Sequence, residues 1–389
     1  MTMSTIKIGD LGRVVTGKTP STKSPEYWNG EYDFITPSDI KDDSYTVRTG
    51  RSVSNSWGKK SPQYLLPEGT TCYVCIGATI GKNCYVSKPS FSNQQINAVI
   101  PDTDRFNPKY VYALLNTISE EVKNRASGAA TPIVNKSSFS DISIEVHRKN
   151  QQDLIVNILE NYDNLIENNN RRIAILEDMA QSLYREWFVN FRYPNHQDNL
   201  DAEGNPKLID SPLGQIPEGW EFKRLDDYVE LQRGFDLPKD KRNVDGGVPI
   251  YAASGLTGYH NEIKVRGPGI VTGRSGTLGI VKLVLEDHWP LNTSLWVKKF
   301  RNCTAYYAYY LLDSIGLERF NSGASVPTLN RNDVHGNPVI SPPNELIDKF
   351  EEIAAVLHKQ INVLQRKNEN LKQQRDMLLP KLISGQIEL

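Results

Sequence analysis

The sequence predicts an α+β chain in which one design occurs twice. Two β-rich domains are expected, separated by an antiparallel two-helix coiled coil, with an internal pseudo-two-fold repeat. Gly77-Ala78-Thr79-Ile80-Gly81 is echoed by Ser275-Gly276-Thr277-Leu278-Gly279. Ser127-Gly128-Ala129-Ala130-Thr131-Pro132 with Asn135 is echoed by Ser322-Gly323-Ala324-Ser325-Val326-Pro327 with Asn330, and Asp178-Met179 by Asp376-Met377. The matched blocks stay roughly 198 residues apart, far beyond the ~20–50 of solenoid arrays, so the repeating unit is a domain plus a helix. The boundaries read as residues 1–145, a first β-rich domain; 147–190, a helix; 191–215, a linker; 216–341, a second domain; and 343–385, a second helix.

In the first domain, Tyr32–Ile35, Thr71–Ile76, Asn83–Val86 and Ile96–Ile100 are rich in Val, Ile, Tyr and Cys and are bounded by Pro, Gly and Ser, as strands are. Asn107–Asn124 is the one amphipathic helix. The second domain follows suit, with strands at Val248–Tyr251, Gly269–Thr272, Ile280–Val284 and Ser294–Lys298 and a helix over Ala305–Phe320. A heptad seam comes after each domain. Ile155, Leu159, Tyr162, Ile166, Asn169, Ile173, Leu176, Ala180, Leu183 and Trp187 alternate spacings of four and three. Leu357, Ile361, Leu364, Asn368, Leu371, Arg375, Leu378 and Leu382 repeat the pattern. Asn169 and Asn368 are either buried residues that fix register or solvated edge positions. A helix of ~33 residues is ~50 Å long, and an antiparallel pair lets the linker stay short. Trp187 and Phe188 are expected to be exposed and to need a partner.

With 389 residues and ordinary globular composition, the chain holds two or three domains. No apolar run approaches the ~18 residues that span a bilayer and Met1–Asp10 has no signal-like core, so a cytoplasmic protein without membrane contact is expected. Four cysteines make no disulfide framework. Cys72 and Cys75 have CxxC spacing but sit in a predicted strand, where positions three apart face opposite sides, so no metal site is expected. Residues 1–145 carry 16 basic and 14 acidic side chains and 216–341 carry 15 and 14. That balance argues against a chain that grips DNA tightly alone.

Motifs for catalysis fail on context. Gly12–Thr19 fits the P-loop pattern, but Pro20 and Pro25 follow where a helix must open, so Gly17 and Gly234 read as turn glycines. Glu121 and Lys123 mimic a nuclease spacing on a helix from which they diverge. Asn107-Pro108-Lys109-Tyr110 resembles an amino-methyltransferase motif without its second proline. What remains is a recognition surface in loops, of residue types that read bases and hold phosphates. In the first domain these are Lys18, Thr19, Lys23, Arg48, Arg51, Lys59, Lys60, Asn93, Gln94 and Gln95. In the second they are Arg233, Lys239, Lys241, Arg242, Ser254, Tyr259, His260, Arg274, Asn292 and Thr293.

Two domains, two helices and the phrase Asp210-Ser211-Pro212-Leu213-Gly214-Gln215-Ile216-Pro217-Glu218-Gly219-Trp220 together resemble the specificity subunit of type I restriction-modification enzymes. The first domain departs from the family pattern, opening directly at Thr5–Leu11. The resemblance implies a non-catalytic subunit whose two target-recognition domains each read half of a bipartite, asymmetric site on double-stranded DNA. It implies two methyltransferase subunits and motor-nuclease restriction subunits as partners. S-adenosylmethionine, ATP and magnesium would be bound by those partners and no cofactor by this chain. The competing readings are a coiled-coil scaffold whose heads bind proteins, and a P-loop NTPase.

Overall fold

A computed structural model describes every residue except 1–2, 42–44, 127–131, 201–202, 205–206, 244 and 324–326. Ser127–Thr131 and Ala324–Val326 of the repeated tract therefore lie outside the described residues. The chain forms two compact units, Met1–Glu167 with Asn368–Leu389, and Asn168–Lys367.

The first unit carries a two-stranded sheet of Ser4–Lys7 and Ser143–Val146. Its four-stranded antiparallel sheet runs in the order Gly12–Thr16, Ile96–Pro101, Thr71–Val74, Asn83–Tyr85. Its three-stranded sheet runs Ser52–Val53, Trp28–Ile35, Ser90–Ser92, the last pair parallel. The second unit repeats all three in the same chain order. Glu221–Arg224 pairs with Pro338–Ser341. Val229–Arg233, Ser294–Phe300, Gly269–Gly273 and Val281–Val284 form the four-stranded sheet. Gly255–His260, Val248–Ala252 and Trp289–Pro290 form the three-stranded one, its last pair again parallel. Cys72 lies opposite Cys84 and packs in a different core cluster from Cys75, as alternation along a strand requires.

The first domain helix is broken, and the second is shorter than the periodicity predicts. The first is two helices, Pro108–Thr117 and Ser119–Arg125. The Thr117 hydroxyl donates to Leu114 O at 2.7 Å and the Ser119 hydroxyl to Asn116 O at 3.2 Å, and such back-bonding competes with the helical ladder. The second stops at Ile315 because Gly316, at φ 69°, caps it in the left-handed region; a single 3-10 turn, Leu317–Phe320, follows.

The long helices are Lys149–Tyr184 and Asn344–Ile383. Within the first unit, Ile155 and Val156 share a core with Leu382 and Ile383. Within the second, Ala180 and Tyr184 share one with Leu346, Ile347 and Phe350. In each unit the two helices thus run antiparallel. Every seam residue is buried or half-buried, Asn368 at 5% exposure, and the polar seam position Arg375 pairs with Asp163 at 2.6 Å. Trp187 and Phe188 are not exposed: both are buried. The first long helix continues into a π-helical turn over Arg185–Val189. That wider turn re-aims the side chains, so two consecutive ones reach the core. Trp187 meets Phe350, and Phe188 meets Phe350, Tyr307 and Trp220. No helix among the described residues is long and apolar enough to cross a membrane.

Candidate nucleic-acid interface

In each half, the first strand of the four-stranded sheet ends at a glycine. Gly17 N–H donates to Ile96 O at 3.0 Å, and Gly234 N–H to Ser294 O at 3.1 Å. A Cβ on Gly17 would lie 2.1 Å from Asn93 O, and one on Gly234 2.2 Å from Leu291 O. Neither has positive φ, so these are glycines of close approach and not the turn glycines the sequence suggests.

Two residues further on, both halves make the same side-chain contact. The Thr19 hydroxyl donates to Gln94 Oε1 at 2.7 Å, and the Asn292 amide donates to Asp236 Oδ1. The backbone beneath is matched bond for bond. Cys75 N–H donates to Gln95 O at 2.8 Å where Arg274 N–H donates to Thr293 O at 2.9 Å. Gly77 N–H donates to Pro132 O at 3.0 Å where Gly276 N–H donates to Pro327 O at 2.9 Å. The glycine-rich repeat and the proline of the second repeat therefore meet at one place in each unit. Gly77 and Gly276 need glycine there, at φ 95° and 91°.

Several predicted residues gather at this place. In the first unit they are Lys18, Thr19, Asn93, Gln94 and Gln95, with the Asn93 amide donating to Gln95 Oε1 at 2.9 Å. In the second they are Arg233, Arg274, Asn292 and Thr293. Arg274 donates to Asn292 O at 3.4 Å, and Thr293 Oγ1 accepts from Ala253 N–H at 3.4 Å. Asp236, which the sequence reading passed over, joins them and pairs with Arg233 at 3.4 Å. A repeat alignment could have found it, since Asp236 stands at the same step past Gly234 as Thr19 past Gly17.

Three of the predicted cations of the first unit stand against aromatic rings. Lys18 Nζ stands 5.5 Å from the Tyr64 ring centre, and the Arg51 guanidinium 5.3 Å from both Trp28 and Phe34. Lys60 donates to the Tyr27 hydroxyl at 2.6 Å. Cations held on aromatic faces keep their charge outward while losing little freedom. Lys23, Arg48, Lys59, Lys239, Lys241, Ser254 and Tyr259 are exposed. Arg242 is tied back to Leu237 O at 3.4 Å and Thr257 Oγ1 at 3.5 Å. His260 belongs inside: it is buried, packs on Trp289, and its Nδ1 accepts from Asn243 N–H at 3.3 Å. Its place is beneath the loop and not on the surface.

A second surface lies on the long helices. Leu154 and Leu165 on the first helix and Met377 on the second are exposed in the first unit. Ile175 and Met179 on the first helix and Ile353, Val356 and Val363 on the second are exposed in the second. Each stands one residue before a buried or half-buried position of its helix, so both helices repeat one apolar stripe beside the paired face.

The sequence profile of the family described as type I restriction modification DNA specificity domain matches residues 2–178 and again 217–378. The type I restriction enzyme MjaIX specificity subunit of Methanocaldococcus jannaschii is 28% identical, over 98% of this chain and 93% of its own length. The HindI specificity subunit of Haemophilus influenzae is 33% identical, over 44% of this chain and 38% of its own length. Among solved structures, the type I restriction-modification S subunit from M. genitalium superposes with a TM-score of 0.60 at 18% identity, covering 98% of this chain and 96% of that one. At that identity the likeness is one of fold.

Proposed function

This chain belongs to the type I restriction-modification DNA specificity family, and from that membership we propose that each of its two domains reads one half of a bipartite DNA site. The observation that carries the proposal is the repeated loop cluster. Identical backbone bonds hold Gly17–Gln95 and Gly234–Thr293, while the exposed side chains on them differ. One scaffold with two sets of base-reading groups suits two different half-sites.

Double-stranded DNA is then the ligand, and the long helices fix the spacer between half-sites. The apolar stripe at Leu154, Leu165, Ile175 and Met179, repeated at Ile353, Val356, Val363 and Met377, supports docking of two methyltransferase subunits, one for each repeat. Those subunits would supply S-adenosylmethionine-dependent chemistry and much of the phosphate contact that a chain of net charge −1 lacks. Restriction subunits would add ATP-driven cleavage in the cytoplasm.

The test is co-expression with methyltransferase subunits and mapping of modified adenines across a host genome. One bipartite motif with a fixed spacer is expected, changed on one side when residues 1–145 are exchanged for another recognition domain. A stable complex that leaves no motif would overturn DNA specificity and favour a protein-binding scaffold.

A further inference from the structure

We propose that Gln94 and Asn292 are the adenine-reading side chains of their halves, with Thr19 and Asp236 as positioning residues that set the amide each presents. The proposal rests on the DNA-reading function above and assigns it to particular atoms.

A carboxamide can meet the major-groove edge of adenine with both ends, its oxygen accepting from N6–H and its N–H donating to N7. Such a contact discriminates only if the amide cannot rotate, and here each amide is gripped at one end. In the first unit the grip is on oxygen: the Thr19 hydroxyl donates to Gln94 Oε1 at 2.7 Å, leaving a second lone pair and both N–H groups. In the second the grip is on nitrogen: Asn292 spends one N–H on Asp236 Oδ1 and keeps the other N–H and its oxygen. Both arrangements leave at least one donor and one acceptor for a base.

An aspartate facing DNA would ordinarily repel phosphate. Asp236 has Arg233 at 3.4 Å to offset its charge, so it can hold an amide without presenting a bare carboxylate. Gln94 is exposed and Asn292 half-exposed, so neither pair is sealed in a core. The two pairs arise 75 and 56 residues apart in sequence, yet they fall on matching backbone. Geometry preserved while the chemistry is exchanged is what orientation of a reading group requires. A mere loop latch would need no change of partner.

The experiment uses the full chain assembled with methyltransferase subunits, with the methylated motif read genome-wide and binding measured by competition against duplexes bearing single-base changes. Asn292→Ala and Asp236→Ala are each expected to lower discrimination at one base pair of one half-site by about 10- to 100-fold, leaving the other half unchanged. Gln94→Ala and Thr19→Val should do the same in the other half. Gln94→Glu keeps the shape and the Thr19 bond but loses the donor, so the preferred base at that position should shift from adenine towards cytosine. This near-isosteric change is also the arm that survives if an alanine variant fails to assemble. An unchanged motif in these variants, or a uniform gain or loss of affinity across all sequences, would overturn the assignment. Failure of the parent function looks different: there, exchange of the whole domain 1–145 would leave the motif unaltered.

Discussion

The two units solve the same joint, domain helix against long helix, with different chemistry. In the first, Asn107 caps the helix Pro108–Thr117 and is itself held by the long helix: its N–H donates to Gln152 Oε1 and its amide to Asp153 Oδ1, both at 2.8 Å. In the second, Glu351 caps the helix Ala305–Ile315 from across the joint. It accepts from Thr304 N–H at 2.5 Å, the Thr304 hydroxyl at 2.7 Å and Tyr307 N–H at 3.2 Å. Two turns along the long helix, Glu160 is paired with Lys109 where the second unit has His358 bonded to Tyr310 at 2.7 Å. Backbone geometry is kept where the sheets close, and side chains drift where any partner satisfying the same helix end will serve. The difference divides the molecule into positions fixed by topology and positions free to change.

The sharpest way to break that division is at the close-approach glycines. Gly17→Ala or Gly234→Ala would place a Cβ just over 2 Å from a carbonyl oxygen of the opposing turn, so backbone must move. About 3 kcal/mol or more of destabilisation is expected in either variant. A Cβ on Gly50 meets nothing within 4 Å, and Gly50→Ala should stay within about 0.5 kcal/mol. Urea unfolding of the three variants checks the contrast; equal effects would remove the claim that these positions answer to topology.

Next in size comes the cap. Glu351 is 8% exposed and satisfies three donors, so Glu351→Ala should cost about 3 kcal/mol and open Ala305–Ile315 to hydrogen exchange. Asp153→Ala should cost about 1 kcal/mol, because Asn107 Oδ1 still receives Lys109 N–H at 3.0 Å. Similar losses in both helices would show the joints to be energetically alike.

Much of this architecture can be read in the sequence, because periodic burial leaves a periodic record. The seam from Ile155 to Leu183 is an example, each position buried or half-buried in turn. Features that depend on a local exception were harder to read. Gly316 lies within an apolar pattern that continues through Leu317 and Phe320, so the pattern outran the helix. Nothing in Arg185–Val189 announces a π-turn, since its cause is the aromatic core it must fill. At the candidate interface, residue types pointed to Gln94 and Asn292, but their partners could not be inferred. Thr19 and Asp236 come from distant strand ends, and an acid is normally counted against nucleic acid.

The histidine joint gives a smaller, pH-dependent contrast. Burial beside Tyr306, Tyr309 and Tyr310 pushes His358 down to about 4 from its ordinary 6.5. A folded-state value below the unfolded one means the unfolded chain takes the proton first. The stability tied to His358 is therefore complete above about pH 6.5 and is lost as the pH falls towards 4. About 1–3 kcal/mol is expected over that window, allowing for the residue's partial exposure. His358→Phe should flatten this part of the urea-midpoint profile; an unchanged slope would mean the histidine is not held neutral by the joint.

The smallest effect belongs to the ion pair at the matching place. Hydrogen bonding to Glu160 raises Lys109, but the two side chains are 44% and 35% exposed, so water and salt screen much of the attraction. Lys109→Met should cost no more than about 1 kcal/mol, and that cost should shrink as salt is raised from 0.05 to ~0.5 M. His358→Phe should show no such salt dependence, since a neutral imidazole has no charge to screen. Were the Lys109 effect large and insensitive to salt, the pair would have to be counted with Glu351 as a fixed element of the joint, and the freedom assigned to these positions would shrink to the loops of the candidate interface.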